Sequence, residues 1–234
     1  MVTLTYQERF KTFKGVFDEH TERNIFELQS RGFFDEIVSP LKIGKESNVF
    51  IALKGKLKLI VKIYRVQNCD FKRMYNYIRK DPRYSFLKHR RRQIIYAWTQ
   101  REFRNLKYAE KAGIYAPKPL TFKENILIEE MIGDQEPAPV LKDNHPQHPQ
   151  KFFDSLLSQL KKLYREGLIH GDLSSFNILN HEDKPYLIDF SQATLVQTPN
   201  SEELLQRDVK NITNFFAKLG VNEDPAAVIK KITA

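Results

Sequence analysis

Two neighbouring stretches in the C-terminal half decide the fold and the chemistry. Residues 169–179 read IHGDLSSFNIL and residues 186–193 read YLIDFSQA, so that Asn177 follows Asp172 by five positions and Asp189 follows Asn177 by twelve. Phosphoryl transfer needs a carboxylate that orients and deprotonates a hydroxyl or a water, and oxygen ligands that hold Mg²⁺ on the phosphates. Asp172 suits the first role, and Asn177 and Asp189 suit the second. Each residue alone is more often a turn or capping residue, but their joint spacing between apolar runs favours the functional interpretation.

A lysine in the N-terminal half completes this pattern. Residues 57–63 read LKLIVKI and place Lys62 in the middle of an apolar strand, where its ammonium group loses hydration unless an anion meets it. A nucleotide phosphate or a helix glutamate would supply that anion, and Glu102, in a helix predicted for residues 93–112, is the candidate glutamate. The alternatives are an edge-strand Lys62 that points to solvent and a surface Glu102 beside its neighbouring arginines.

A short polar segment precedes this strand. Residues 43–50 read IGKESNVF, which has too few glycines for a G-x-G-x-x-G loop and is not a Walker A sequence. Backbone N–H groups and small polar side chains can still surround phosphates, so the segment supplies candidates for nucleotide binding. These candidates are Gly44, Ser47, Asn48 and Val49. An ordinary turn is the alternative interpretation.

Length and composition exclude several classes of protein. The chain has 234 residues, of which 41% are hydrophobic and 29% are charged, which is typical of a globular protein with one large domain or two small lobes. Its single cysteine, Cys69, cannot form an internal disulfide, which excludes a disulfide-stapled secreted scaffold. No apolar run approaches the length of a membrane span, and the first fifteen residues lack the apolar core of a signal peptide. We therefore expect a cytoplasmic protein without a membrane partner.

The positive charge is concentrated in one part of the chain. The net charge is +9, but residues 54–104 contain 16 Lys and Arg against 3 Asp and Glu, whereas the remainder is net acidic. Such a concentration favours a polyanionic partner, such as RNA or phosphate. A solvated loop with spare charge is the alternative.

Strand patterns come first along the chain and helical patterns follow, which predicts an α+β protein with a sheet-rich N-lobe and a helical C-lobe. A connector with four prolines at residues 133–150 marks the boundary between the lobes. We expect an N-terminal helical segment at residues 1–40, the N-lobe at 41–132 with a flexible basic loop at 65–92, and the C-lobe at 133–234.

Several of these segments together resemble the RIO family of atypical protein kinases. They are GKESNVF at 44–50, VKIY at 61–64, WTQREFRNL at 98–106, IEEMIGD at 128–134 and the two stretches quoted first. They occur in the family's order over roughly residues 21–215. The long basic segment and the short length are most similar to the archaeal Rio1 branch.

The resemblance implies a trimmed bilobal protein-kinase-like fold that binds ATP and Mg²⁺ or Mn²⁺ between its lobes. Lys62 would then contact the phosphates and pair with Glu102, while the hinge backbone from Glu130 to Ile132 would contact adenine. Asp172 would accept a proton, and Asn177 and Asp189 would bind metal. In this family the metal-binding aspartate can itself accept the phosphoryl group, so ATPase activity stands beside serine/threonine kinase activity. One departure is Glu129, where the family tends to carry an apolar residue.

The resemblance also implies a role in maturation of the small ribosomal subunit. The basic region at residues 54–104 would then face rRNA in the immature particle, and no DNA partner is expected. Two other functions remain open at this point. One is a small-molecule kinase of the aminoglycoside phosphotransferase type, which shares the H-G-D-x-x-x-x-N pattern. The other is a non-catalytic RNA-binding assembly factor that keeps the kinase shape.

Overall fold

A sheet-rich part and a helical part follow one another along the chain, as the sequence indicated. The computed structural model describes residues 17–66 and 69–234. Its elements are α1 (Glu19–Ser30), β1 (Glu36–Ile43), β2 (Ser47–Lys54), β3 (Leu57–Tyr64), α2 (Phe71–Ile78), α3 (Arg91–Lys111), β4 (Pro119–Lys123), β5 (Ile126–Glu130), α4 (Pro149–Arg165), β6 (Leu168–Ile169), β7 (Ile178–His181), β8 (Lys184–Leu187), β9 (Thr194–Leu195), α5 (Ser201–Ala217) and α6 (Pro225–Thr233). Short 3-10 turns occupy Pro82–Tyr84 and Phe190–Gln192.

The N-lobe is an antiparallel sheet of five strands in the order β1-β2-β3-β5-β4. The predicted hairpin forms as β2 and β3, and Gly55 adopts a φ of +58° in the turn between them, a conformation that glycine takes without steric cost. Alternate residues of β3 face opposite sides of the sheet. Val61 and Ile63 pack under α1, whereas Ile60 and Lys62 face the cleft between the lobes. This alternation explains how a strand buried on both faces presents one lysine to the cleft.

The C-lobe core is built by α4, α5 and α6 around buried aromatic and aliphatic side chains. Phe153 and Phe216 stack edge to face with ring centroids 5.0 Å apart, and Val228 of α6 is fully buried beside them in the same cluster. The small hairpin β7–β8 and the strand pair β6–β9 carry the two stretches quoted from the sequence. Within the described residues, no helix combines the length and apolar character that crossing a bilayer requires.

The basic segment at residues 65–92 is not the loop that we expected. It contains α2 and the 3-10 turn at Pro82–Tyr84, and α3 begins at Arg91, inside the segment. Met74, Ile78 and Tyr84 are buried in one cluster with residues of α3. The apolar positions have helical spacing, but the many basic residues between them hide it. Residues 67 and 68 lie outside the described part.

The predicted boundaries also differ from the observed elements. The sheet already begins at Glu36, so a boundary between residues 40 and 41 would cut β1. The predicted N-terminal helix is present as α1, and Asp18 caps its first turn by accepting a hydrogen bond from the backbone N–H of Thr21 at 2.8 Å. Residues 1–16 of that predicted segment lie outside the described residues.

We expect Phe216→Ala to lower the free energy of unfolding by about 3–5 kcal/mol, because it opens a cavity in the C-lobe core. Urea denaturation measures this change. Phe86→Ala is the matched control, since Phe86 is 79% exposed and its removal should change stability by no more than about 0.5 kcal/mol. Equal effects of the two substitutions would contradict the core assignment.

Candidate active site

A cavity of about 810 Å³ lies between the sheet and the helical lobe. Its walls come from the β1–β2 turn, from β3, from the segment after β5 and from both stretches of the C-lobe. Eight of the eleven predicted site residues line it. They are Gly44, Ser47, Val49, Lys62, Glu130, Ile132, Asn177 and Asp189. The fold therefore brings residues that are up to 145 positions apart into one cleft.

Lys62 joins the two lobes at the bottom of this cleft. Its Nζ lies 2.7 Å from Oε1 of Glu102 on α3 and 2.9 Å from Oδ1 of Asp189 in the C-lobe. Burial opposes the charged ammonium, but the two carboxylates outweigh it and hold the pKa of Lys62 well above its ordinary value. Lys62 is therefore a permanently charged group that is only 7% exposed.

Glu102 stands behind Lys62 and not on the cavity wall. It is 1% exposed, and its second carboxylate oxygen, Oε2, accepts a hydrogen bond from the hydroxyl of Tyr64. Tyr64 follows Lys62 by two positions on β3, so both side chains lie on the same face of the strand. The sequence analysis did not identify Tyr64, although this spacing was the available signal. Glu102 thus positions Lys62 from the side that faces away from the cavity.

Asp189 occupies a left-handed backbone conformation with φ +62° and ψ +69°. This geometry is uncommon for a residue other than glycine and is found most often at functional sites. The carboxylate accepts hydrogen bonds at Oδ1 from Lys62 and, at 2.8 Å, from the hydroxyl of Ser191. Burial favours the neutral acid, but Lys62 outweighs it and holds the pKa of Asp189 well below its ordinary value. Its other oxygen, Oδ2, has no hydrogen-bond partner among the described residues.

The side-chain amide of Asn177 links Asn177 to Asp172. Nδ2 of Asn177 donates to the backbone carbonyl of Asp172 at 2.8 Å and lies 3.4 Å from its carboxylate. This orientation leaves the amide oxygen of Asn177 for another partner. Burial and the nearby charge of Asp189 raise the pKa of Asp172, although Arg207, 3.9 Å away, opposes the shift. A raised pKa improves a carboxylate as a proton acceptor.

A buried aspartate that the sequence analysis missed fixes the loop that carries Asp172. Asp208 of α5 accepts hydrogen bonds from the backbone N–H groups of Gly171 at 2.6 Å and Leu173 at 2.8 Å. Three positions later on the same helix, Asn211 donates to the carbonyl of Leu173 at 3.0 Å. The available signal was Asp208 itself, an acidic residue on the otherwise mostly apolar buried face of an amphipathic helix.

The side chain of Asn48 is not among those that line the cavity, so the cavity lining does not support its predicted role in nucleotide binding. Ser47 and Val49 line the cavity, and because strand residues alternate, Asn48 points to the other face. It is 3% exposed and pairs in register with Ile63, which belongs to the core under α1. The neighbouring turn is tight at Gly44, where a Cβ atom would lie 2.8 Å from the carbonyl oxygen of Ser47.

The donor atoms at the cleft fit a magnesium-bound nucleotide. Mg²⁺ in such sites takes one or two protein oxygens and completes its shell with phosphate and water. Oδ2 of Asp189 and the amide oxygen of Asn177 have no hydrogen-bond partner among the described residues, so both are available as ligands of this kind. Among residues 17–66 and 69–234, no three His, Cys, Asp or Glu side chains are grouped so that they alone could hold a metal ion. A sparse donor set of this kind matches a cation that is bound together with phosphates.

Comparison with known proteins agrees with the fold. The model of the RIO domain matches residues 48–228. The protein named RIO-type serine/threonine-protein kinase Rio1 from Methanocaldococcus jannaschii is 44% identical over 97% of this chain and 79% of its own length. The Rio1 protein from Haloferax volcanii is 37% identical with the same coverage.

A solved structure shares the architecture at low sequence identity. It is the complex of the Rio2 kinase from Chaetomium thermophilum with ADP, Mg²⁺ and phosphoaspartate, and it superposes with a TM-score of 0.68 at 20% identity. The comparison covers 89% of this chain and 65% of that one, so the chain spans about two thirds of the Rio2 protein. The family and the Rio1 branch predicted from the sequence are confirmed, and so is the two-lobed α+β fold. The chain belongs to the RIO family of serine/threonine-protein kinases.

Proposed function

We propose that the chain transfers the γ-phosphoryl group of Mg²⁺–ATP, as a kinase and as an ATPase, during maturation of the small ribosomal subunit. The observation that carries the proposal is the bridge from Lys62 to Glu102 and Asp189, because it brings a buried cation and the Asp189 carboxylate together at one point of a nucleotide-sized cavity. The single cysteine, Cys69, agrees with action in a reducing compartment such as the cytoplasm.

Each side chain has a defined task in this proposal. Lys62 contacts the phosphates from the sheet side, and Glu102 keeps its ammonium in place. Asn177 and Asp189 hold the cation, which neutralises charge on the phosphates when it is bound. Asp172 takes the proton of the attacking hydroxyl or water. Positioning and electrostatic stabilisation of this kind account for most of the rate enhancement in phosphoryl transfer.

We extend the proposal to Asp189 as a phosphoryl acceptor. A new bond forms between a carboxylate oxygen of Asp189 and the γ-phosphorus, the bond to the β–γ bridging oxygen breaks, and ADP leaves. The depressed pKa of Asp189 supports this step, because the carboxylate is ionised at neutral pH. The phosphoaspartate in the related Rio2 complex supports it as well. Hydrolysis of the acyl phosphate by water then completes an ATPase cycle.

The base of the nucleotide would lie at the end of the cavity that Glu130 and Ile132 line. Glu129 lines the same cavity and pairs in register with Ile60 of β3. Burial, together with the charges of Glu102 and Asp189, raises the pKa of Glu129 to about 8. At neutral pH most of this side chain is therefore a neutral acid that can donate a hydrogen bond, which an apolar residue at this position cannot do.

The basic segment supports rRNA as the partner. From α2 to the first residues of α3, the segment carries eight exposed cations, and we call these residues the basic face. Its residues are Lys72, Arg73, Arg79, Lys80, Lys88, Arg90, Arg91 and Arg92. Phe86 belongs to the same segment and is 79% exposed. Cations that track a phosphate backbone and an aromatic ring on which a base can stack are the two elements of single-stranded nucleic-acid binding.

We expect Lys62→Ala to lower the rate of ATP turnover by about 10²-fold or more, because it removes a preorganised charge from the phosphates and leaves two carboxylates unpaired. Release of phosphate from ATP in the presence of Mg²⁺ measures this change. Lys56→Ala, in the exposed turn of the same hairpin, should leave turnover within about twofold of the wild type. Wild-type protein without any ATP-dependent activity would favour the non-catalytic RNA-binding function instead.

We expect Glu129→Gln to flatten the pH dependence of stability. Burial raises the pKa of Glu129 from its ordinary value of 4.5 to about 8 in the folded protein, so the folded state binds the proton more tightly. Its contribution is fully present below pH 4.5 and is lost as the pH rises to 8. Urea denaturation across this range should therefore show a smaller fall in the free energy of unfolding for Glu129→Gln than for the wild type. Glu203→Gln, on the exposed side of α5, should keep the wild-type slope, and equal slopes in all three proteins would refute the assignment.

We expect Phe86→Ala to weaken binding of a single-stranded RNA by about 5- to 100-fold, which corresponds to the loss of one stacked base. Fluorescence anisotropy with a labelled oligonucleotide measures the dissociation constant. Lys88→Glu should weaken binding and reduce its salt dependence, whereas Lys230→Glu, on α6, should have little effect. An affinity that does not change between low and moderate salt would identify the basic face as a merely solvated surface.

A further inference from the structure

A fully buried aspartate lies in the basic segment, away from the cavity. Asp81 is 0% exposed and stands immediately before the 3-10 turn at Pro82–Tyr84. Its carboxylate accepts hydrogen bonds from Arg83, with Nη2 at 2.6 Å from Oδ2 and Nε at 2.9 Å from Oδ1. It also accepts one from Nε of Arg101 on α3, at 3.0 Å from Oδ2. Two guanidinium groups share this carboxylate in the interior of the protein. Removing three charges from water is costly, which suggests that the cluster has a function.

The two guanidinium groups lead from Asp81 to the turn that follows Asp189. Arg101 is 1% exposed, and its Nη1 donates to the backbone carbonyl of Ser191 at 2.7 Å. Nη2 of Arg83 donates to the side-chain carbonyl of Asn105 at 2.9 Å. Nδ2 of Asn105 in turn donates to the carbonyl of Phe190 at 2.9 Å and to that of Ala193 at 2.8 Å. The network therefore holds three backbone carbonyls within the four residues after Asp189.

These carbonyls belong to the segment that determines where the Asp189 carboxylate points. Asp189 has a left-handed conformation, and such a conformation persists only when the surrounding structure holds it in place. Ser191, whose carbonyl Arg101 binds, also donates its hydroxyl to Oδ1 of Asp189. The donors from Arg101 and Asn105 thus fix both the backbone after Asp189 and one hydrogen-bond partner of its carboxylate.

We propose that Asp81 is a positioning residue for the metal site, acting through Arg101 and Asn105 on the turn after Asp189. The proposal rests on the proposed function in one respect, which is that Asp189 binds the metal. Asp81 touches neither the cavity nor a reacting group, so it is not a catalytic residue. Its role is to neutralise and orient the two arginines, because an unpaired buried guanidinium group would turn away from the carbonyls toward water.

Because of this network, the basic segment supports the turn after Asp189 in addition to carrying surface cations. Asp81 directly follows Arg79 and Lys80 of the basic face. The segment that carries the cations on its surface therefore also carries, on its buried side, the residue that supports the metal site. Sequence patterns alone indicate that this stretch faces solvent or binds RNA. The contacts of Asp81 show that it also supports the backbone around Asp189.

The test compares binding of Mn²⁺ to four proteins in the presence of saturating ADP, with free Mn²⁺ followed by electron paramagnetic resonance. We expect Asp81→Asn to weaken Mn²⁺ binding by about tenfold or more relative to the wild type, while the affinity for ADP without metal stays within about twofold. Asp70→Asn is the matched control, because Asp70 is an exposed carboxylate of the same segment and its loss changes the net charge equally. Asp189→Asn is the reference in which the metal ligand itself is altered.

The outcomes distinguish a failure of the proposal for Asp81 from a failure of the metal assignment of Asp189. If Asp189→Asn abolishes Mn²⁺ binding and folded Asp81→Asn retains wild-type affinity, the inference is overturned and the metal site stands. If Asp189→Asn also retains wild-type affinity, the metal assignment of Asp189 fails and the inference fails with it. A merely structural role for Asp81 would lower the free energy of unfolding and leave the Mn²⁺ affinity of the folded protein unchanged, which would overturn the inference as well.

A second variant keeps the test decisive if Asp81→Asn does not fold. Asn105→Leu removes the donors to Phe190 and Ala193 without changing the charge, and it should also weaken Mn²⁺ binding. Unchanged affinity in this variant would contradict the proposal. The emission of Trp98, the chain's single tryptophan, reports whether the network is intact, because the guanidinium carbon of Arg101 lies 5.5 Å from the centroid of its ring.

Discussion

The structure depends on one buried ammonium group that has a partner in each lobe. Lys62 cannot remain charged inside an apolar sheet unless Glu102 and Asp189 meet it, and Asp189 comes from a part of the chain 127 positions later. The lobes must therefore close on each other with α3 between them for the charges to be satisfied. Because breaking a buried ion pair leaves an uncompensated charge, the same contact that organises the site also penalises arrangements in which the lobes separate.

Residues whose chemistry restricts their surroundings could be predicted from the sequence. A lysine in an apolar strand, and an Asp–Asn–Asp set between apolar runs, have few explanations other than an anion and a cation, and the structure brings Lys62, Asn177 and Asp189 to one cavity. Asn48 was grouped with its neighbours in sequence, whereas the strand places its side chain on the face opposite Ser47 and Val49. The basic segment was taken for a loop because charge obscured the helical spacing of Met74 and Ile78.

Residues that support the site from behind could not be predicted in the same way. Tyr64, Asp81 and Asp208 act through partners that lie 20 to 38 positions away along the chain, so these contacts cannot be read from local spacing alone. Their roles follow from tertiary packing, which places a polar side chain against the backbone of a functional loop. Composition shows that such polar residues exist but not which of them are buried.

The excess of negative charge at the bottom of the cleft affects whether a nucleotide binds its divalent ion before or after it enters. Lys62 carries one positive charge, whereas Glu102 and Asp189 together carry two negative charges, and the partly buried Glu46 adds a further carboxyl group to the same walls. A nucleotide that arrives as a bare polyphosphate meets net repulsion there. One that arrives already complexed to a divalent ion brings the missing positive charge with it. The charges on these walls therefore favour a ligand that carries its own cation over one that is purely anionic.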